Sequence, residues 1–399
     1  MSESQRIIEL TEQFSANNYH PLPVVIARAE GIFVEDADGK RYMDMLASYS
    51  AVNQGHRHPR IIEAMVEQAA RLTLTSRAFH NDQMGPFLAE LCEFCGAEMA
   101  LPMNTGAEAV ETAIKTVRKW GYQNRPVAPD KAEIIVCDGN FHGRTTTIIS
   151  FSSEEEYKQG FGPFTPGFVL IPYGDADALE AAINDNTVGF MAEPIQGEGG
   201  VLVPPDGYLA RCREICSRHG ILFVLDEIQT GFCRTGKRFA HQYEDANPDV
   251  LILGKALGGG VYPVSAVTAS AEILGVFRPG DHGSTFGGNP LAAAIGRAAL
   301  RVLIDEDLEN QSFELGRYFR QQLRAIGSPL VHEVRGRGLL IGVQLKAEAG
   351  GARPYCEQLM DRGILCKETH EDVIRFAPPL VITKDQIDQA LTHVRAVLT

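Results

Sequence analysis

No uninterrupted apolar run in this 399-residue chain approaches the roughly 18 residues that a membrane-spanning helix needs. Basic charge is scarce as well: 37 lysines and arginines face 51 aspartates and glutamates, a formal net charge of -14 with a pI near 5.3. A surface of that sign repels polyanions, which argues against non-specific binding to nucleic acid or an anionic membrane and leaves only local basic pockets. The first ten residues, Met1 to Leu10, alternate charge with apolar side chains. They lack the apolar core of a secretory leader and are too acidic for a transit peptide, so the expected setting is the cytoplasm. Internal repeats and low-complexity tracts are missing too.

Metal-ligand spacing is also lacking. Of the eight cysteines, Cys92 and Cys95 form a C-x-x-C pair, but the pair sits inside the helical pattern Phe87 to Cys95 with no second ligand pair nearby. Cys212 and Cys216 stand one helical turn apart and read as core thiols, and a reducing compartment suits all eight. His56 and His58 flank a helix start rather than share a face, so they read as capping or packing residues. No metal is expected. Gly336-Arg-Gly338 precedes a strand instead of following one, which removes the dinucleotide-loop reading.

What is present is a large apolar fraction, 44%, enough for a sizeable core and a second, smaller domain. The most informative stretch runs from Ile221 to Lys255. Its opening run, Ile221-Leu-Phe-Val-Leu225, has the composition of a strand buried on both faces and stops at Asp226 and Glu227. A carboxylate at the carboxyl end of a buried parallel strand lies at the rim where open α/β sheets bind ligands. A second apolar run from Asp249 delivers Lys255 into Ala256-Leu-Gly-Gly-Gly260. A poorly solvated lysine favours its neutral amine, the form that condenses with an aldehyde. Either residue alone is more often a solvated cap. Together they suggest pyridoxal 5′-phosphate (PLP), with Lys255 on the aldehyde and Asp226 on the pyridine nitrogen.

Other stretches add to this. Pro102 to Glu111 is a loop opening a long helix: Asn104 or Thr105 can cap it, Gly106 admits a ligand to the backbone, and the free amides make an anion site. The alternative there is an ordinary cap. Phe141, at a strand end before glycine, can lie flat on a planar ring, and Arg144 can fork onto a carboxylate; core packing and a surface charge are the other readings. Glu193 and Glu198 follow another strand, and Asp281 to Pro290 is a second hydroxyl- and glycine-rich loop. Residues up to about Pro23 read as a proline-stiffened arm with no helix, in which Tyr19 either packs the arm down or reaches a ligand. Helices alternating with strands predict an α/β fold with a mostly parallel sheet covered by helices. The expected division is an arm and hairpin over residues 1–48 packing with the small domain, a large domain over 49–289 and a small α+β domain over 290–399.

Asp226-Glu-Ile-Gln-Thr-Gly231, Gly254-Lys255-Ala-Leu, Thr105-Gly-Ala-Glu108, Asn140-Phe-His-Gly-Arg144 and Gly283-Ser-Thr285 together resemble the class III, fold type I PLP-dependent aminotransferases. Within that class, residues 18–23, 48–55 and 374–380 are similar to members acting on the δ-amino group of ornithine, with acetylornithine, succinylornithine and 4-aminobutyrate as rival donors. The resemblance implies that Lys255 carries the cofactor and then moves the proton, and that Asp226 keeps the ring nitrogen protonated. It implies that Gln229 bonds the ring hydroxyl, Phe141 stacks on the ring, and Thr105, Gly106 and Ala107 hold the phosphate. His142 stands where some relatives carry tryptophan, which leaves the wall beside the ring open. Ser284 and Thr285 would reach the neighbouring subunit's phosphate, so a homodimer with shared sites is implied. Arg144 and Tyr19 would hold the distal end of the donor, with Tyr49 lining its channel or packing in the core. Glu198 would cover Arg375 until a 2-oxo acid, usually 2-oxoglutarate, brings an α-carboxylate.

Overall fold

The structure, a computed structural model, describes all 399 residues. At its centre is a seven-stranded sheet in the order Met99–Met103, Ser265–Ala269, Val250–Leu253, Leu222–Asp226, Thr187–Ala192, Glu133–Cys137, Phe168–Ile171. The five strands from Val250–Leu253 onward run parallel, and Ser265–Ala269 is antiparallel to both its neighbours. Leu222–Asp226 and Val250–Leu253 are buried throughout, as β-branched and aromatic runs in the middle of a two-sided sheet should be. Each fully buried Val, Leu, Ile or Phe there contributes about 1.5–3 kcal/mol.

The helix Gly106–Asn124 packs across this sheet and sets the phosphate-side loop against it. Two glycines let it come close: a Cβ on Gly121 would lie 2.3 Å from Val188, and one on Gly189 would lie 2.7 Å from Val117. The carboxyl ends of the parallel strands thus face the start of a helix, which is the geometry of an anion site.

Two smaller sheets flank the large one. One is antiparallel, in the order Val331–Arg337, Leu340–Leu345, Val373–Phe376, Lys367–Thr369; the other joins Ile26–Glu30, Phe33–Asp36 and Arg41–Asp44 to Ile364–Leu365 from the far end of the chain. Arg234 bridges the parts. Fully buried, it donates to Asn53 Oδ1 at 2.6 Å, to Leu339 O at 3.0 Å and to Pro378 O at 2.6 Å, tying the loop after Asp226 to the segment just beyond the strand that carries Arg375.

The amino-terminal arm departs from expectation. Glu3–Phe14 is a helix, capped by Ser2 Oγ, which accepts the Gln5 amide at 3.2 Å. Asp38 takes the Glu3 and Ser4 amides at 2.9 and 3.3 Å. Nearly all of this helix is exposed, so a polarity reading misses it. The cap, together with Asp38 and the Glu3–Arg6 pair, satisfies its first amides in place of a buried face.

Candidate active site

Asp226 is the last residue of its strand and is buried. Its Oδ1 accepts the Ile228 amide at 3.0 Å, and its Oδ2 lies 2.7 Å from His142 Nδ1. A carboxylate can only accept, so His142 carries the proton on Nδ1. Burial works against charge on this imidazole, but the hydrogen bond and negative charge of Asp226 outweigh it and raise the His142 pKa. The other ring nitrogen, Nε2, is buried without a partner.

Lys255 follows Gly254 at the end of the next strand in an unusual conformation, φ +46°. For a lysine this left-handed backbone carries strain, and the neighbouring loop holds it in place: Gln54 Nε2 donates to Ala256 O at 3.0 Å. Desolvation is the largest influence on Lys255 and lowers its pKa, against the pull of Glu198 and Asp226. The neutral amine is thereby favoured.

At the helix Gly106–Asn124 a capping box is complete: Thr105 Oγ1 accepts the Glu108 amide at 3.2 Å, and Glu108 Oε2 accepts the Thr105 amide at 2.8 Å. Thr105 is thus the cap, with its hydroxyl committed to Glu108. Gly106 and Ala107 lie beyond it at the dipole's positive end, and both line one cavity with Phe141, His142, Glu193, Glu198, Asp226, Gln229 and Lys255. Ser265 Oγ ties this loop to the sheet through Thr105 O at 2.7 Å.

On the opposite wall, Arg375 Nη1 donates to Glu198 Oε1 at 2.6 Å, and Gln229 Nε2 donates to the same oxygen at 2.9 Å. Burial opposes charge on Glu198, but the Arg375 pair overcomes it and holds the carboxyl down at about 2. Thr369 Oγ1 fixes the Glu198 carbonyl at 2.6 Å. Gly197 leaves room for Gln229: a Cβ there would lie 1.4 Å from Gln229 Oε1 and would push that side chain aside. The Tyr49 ring lies 5.0 Å from the Arg375 guanidinium carbon.

The structure therefore gathers Gly106, Ala107, Phe141, His142, Glu198, Asp226, Gln229 and Lys255 into one cavity, with Arg375 and Tyr49 behind Glu198. Tyr19, Ser284, Thr285 and Arg144 of the sequence reading stand outside it. Tyr19 is 76% exposed. Ser284 faces Asn104, whose Nδ2 donates to its hydroxyl at 2.8 Å, and Thr285 is exposed. Arg144 is exposed beside the cavity, against the rings of Phe141 and Tyr157. Sequence reasoning noted Glu193 only as a strand-end carboxylate. It lines the cavity, accepts the Phe141 amide at 2.9 Å, and is pushed up to about 7, chiefly by burial.

These residues fit PLP by their own chemistry. Free helix-start amides suit a phosphate, an acid beside a partnerless buried imidazole nitrogen suits a ring nitrogen, and a neutral-leaning amine suits an aldehyde. Gln229, which lines the same cavity, has its Oε1 buried with no donor.

A mostly parallel sheet whose strand ends present this lysine, this aspartate and this anion cup defines a PLP-dependent transferase. The chain belongs to the aminotransferase class-III family, whose model matches residues 14–398. More particularly, the ornithine aminotransferases of Brevibacillus brevis and Bacillus subtilis are each 59% identical to it over 398 residues, spanning 100% of this chain and 99% and 98% of theirs. Among solved structures, the ornithine aminotransferase of Toxoplasma gondii matches with a TM-score of 0.98 at 46% identity, covering 100% of this chain and 95% of that one. The acetylornithine aminotransferase of Elizabethkingia anophelis matches at 0.90, also 46% identical, covering 100% and 99%. The family, the fold class and the cofactor expected from the sequence all stand. No helix is long and apolar enough to cross a membrane.

Proposed function

We propose that this enzyme transfers the δ-amino group of L-ornithine to 2-oxoglutarate, giving glutamate 5-semialdehyde and then glutamate, in two half-reactions at one site. The observation that carries the reading is the Glu198–Arg375 pair at 2.6 Å. An α-amino donor needs a bare arginine for its carboxylate, whereas a donor reacting through its terminal amine needs that arginine covered. Full-length relatives at 59% identity that are named ornithine aminotransferase support the donor.

Each role is supported by the residue's place around the cavity or by the family resemblance. The Gly106 and Ala107 amides hold the phosphate at a helix start. Asp226 holds a proton at the ring nitrogen, steadied by His142 at 2.7 Å. Phe141 would cover one face of the ring, and Gln229 would reach the ring hydroxyl. When bound, PLP supplies the aldehyde that takes the amine and a cationic ring that draws electrons from the carbon losing its proton. Lys255 Nζ accepts that proton and returns it at the adjacent position, as a base of lowered pKa can. Arg144 and Tyr19 receive the donor's distal carboxylate, and Tyr49 lines its channel. When 2-oxoglutarate enters, Glu198 turns away and Arg375 takes the α-carboxylate.

The functional unit is a homodimer in the cytoplasm. Ser284 and Thr285 lie outside their own chain's cavity, which suits a reach to the partner's phosphate. The test is to add ornithine to the holoenzyme and follow the cofactor's absorbance while trapping the cyclised product with o-aminobenzaldehyde. Bleaching with ornithine and a trapped product is expected. Bleaching by acetylornithine or 4-aminobutyrate alone would move the donor to one of those amines.

A further inference from the structure

Two arginines flank this cavity, and they are partnered in opposite ways. Arg375 is buried against a carboxylate, Glu198. Arg144 is exposed and has no carboxylate in ion-pair range; aromatic rings hold it instead. Its guanidinium carbon lies 3.7 Å from the centroid of Tyr157 and 5.7 Å from that of Phe141, and these two rings meet edge to face at 6.2 Å. A guanidinium lying on a ring keeps its five N–H groups in their own plane, free for a carboxylate.

Tyr157 belongs to a segment tied down at both ends. Ser153 Oγ accepts the Gly139 amide at 2.8 Å, Ser152 Oγ accepts the Glu154 amide at 3.1 Å, and Ser150 Oγ accepts the Thr165 amide at 2.8 Å. The ring is half-buried and its hydroxyl bonds nothing in the protein, so the side chain offers a face rather than a polar group.

We propose that Tyr157 is a positioning residue for substrates with a distal carboxylate: its ring holds the Arg144 guanidinium in place without occupying the donors that bind the substrate. Glu198 must leave before Arg375 can act, while Tyr157 never competes with an incoming carboxylate. Through its edge contact with Phe141, Tyr157 also links that arginine to the ring that covers the cofactor. The inference rests on Arg144 as the distal-carboxylate anchor of the proposed function.

The experiment compares Tyr157→Leu, Tyr157→Phe and Arg144→Gln holoenzymes. Glutarate, a dicarboxylate that cannot be transaminated, is titrated against the cofactor's absorbance, and kcat and KM are measured with 2-oxoglutarate. Losing a partly desolvated cation–π contact in Tyr157→Leu should weaken glutarate binding and raise KM roughly three- to tenfold, with kcat within about twofold. Tyr157→Phe keeps the ring face and should stay within about twofold of the parent on both measures. Tyr157→Met, of similar bulk but without the face, serves should the leucine variant not fold. The proposal falls if Arg144→Gln weakens glutarate while Tyr157→Leu or Met does not, or if Tyr157→Phe is as damaging as Tyr157→Leu. Should Arg144→Gln itself leave glutarate binding unchanged, the anchor reading falls and Tyr157 goes with it.

Discussion

Glu193 and Glu198 leave the same strand five residues apart, and both face one cavity. Burial raises the first to about 7, whereas the second, also disfavoured by burial, is held at about 2 by Arg375. The difference lies in the partners. Glu193 sits on the cavity floor with His142, Asp226 and Lys255, where acids and bases share few charges in little water. Glu198 sits at the gate, where one guanidinium answers it directly. The floor is a place to hold and move protons, and the gate is a place to keep a charge until a competing carboxylate arrives.

The strongest way to break this contrast is to empty the gate. Glu198→Ala leaves Arg375 buried and bare, a costly state that an α-carboxylate relieves. The ratio of half-reaction rates for glutamate over ornithine should rise by at least about tenfold. Single-turnover rates with each amine measure it, and an unmoved ratio would show that Glu198 is not the gate.

How much of this was readable in advance depends on the same division. Asp226 and Lys255 were legible because each ends an apolar run, a signal carried by neighbours in sequence. Gly106 was legible as a glycine at a helix start with free amides, while Ala107 came with the resemblance. The strands Met99–Met103 and Ser265–Ala269 were not, since one carries a proline, the other is made mostly of small residues, and their antiparallel pairing at one end of the sheet breaks the strand-helix alternation. The Glu198–Arg375 contact spans 177 positions and came from resemblance, not from spacing. Tyr157 on Arg144 had no local signal at all, being a meeting of the short helix Glu155–Lys158 with the loop that carries Arg144.

Titration sharpens the contrast next. Glu193 is protonated in both folded and unfolded chains below its ordinary 4.5; between there and about 7 only the unfolded chain loses its proton, so stability falls as pH rises. The loss above that window is up to about 3 kcal/mol, and Glu193→Gln should remove it. Glu198 has the opposite sign: its contribution is complete above 4.5 and disappears as pH falls toward about 2. Glu198→Gln should therefore lose up to about 3 kcal/mol at neutral pH and approach the parent in acid. Denaturant unfolding of cofactor-free protein at a series of pH values reads both. Parallel curves for the two variants would mean that floor and gate do not differ in this way.

The smallest effect concerns how the gate's wall is held. Ala47, Ser48, Tyr49 and Ser50 all have positive φ, at 48°, 47°, 60° and 76°, a left-handed turn made without a single glycine. Each L residue there carries roughly 1–2 kcal/mol of strain. The entry to the turn is fixed by Asp44 Oδ1, which accepts the Leu46 and Ala47 amides at 2.8 and 2.9 Å, and the turn sets Tyr49 over Arg375. Ser48 is exposed, so Ser48→Gly removes its Cβ strain without opening a cavity. Glycine also frees the unfolded chain by about 0.5–1 kcal/mol, which leaves a net gain of about 0.5 kcal/mol and a rise of about 1 °C in Tm. The glutamate-to-ornithine ratio should stay where it was, because Tyr49 keeps its backbone. A higher Tm with a shifted ratio would mean that strain at Ser48 itself keeps Tyr49 on Arg375, and the gate would then be held by backbone as well as by charge.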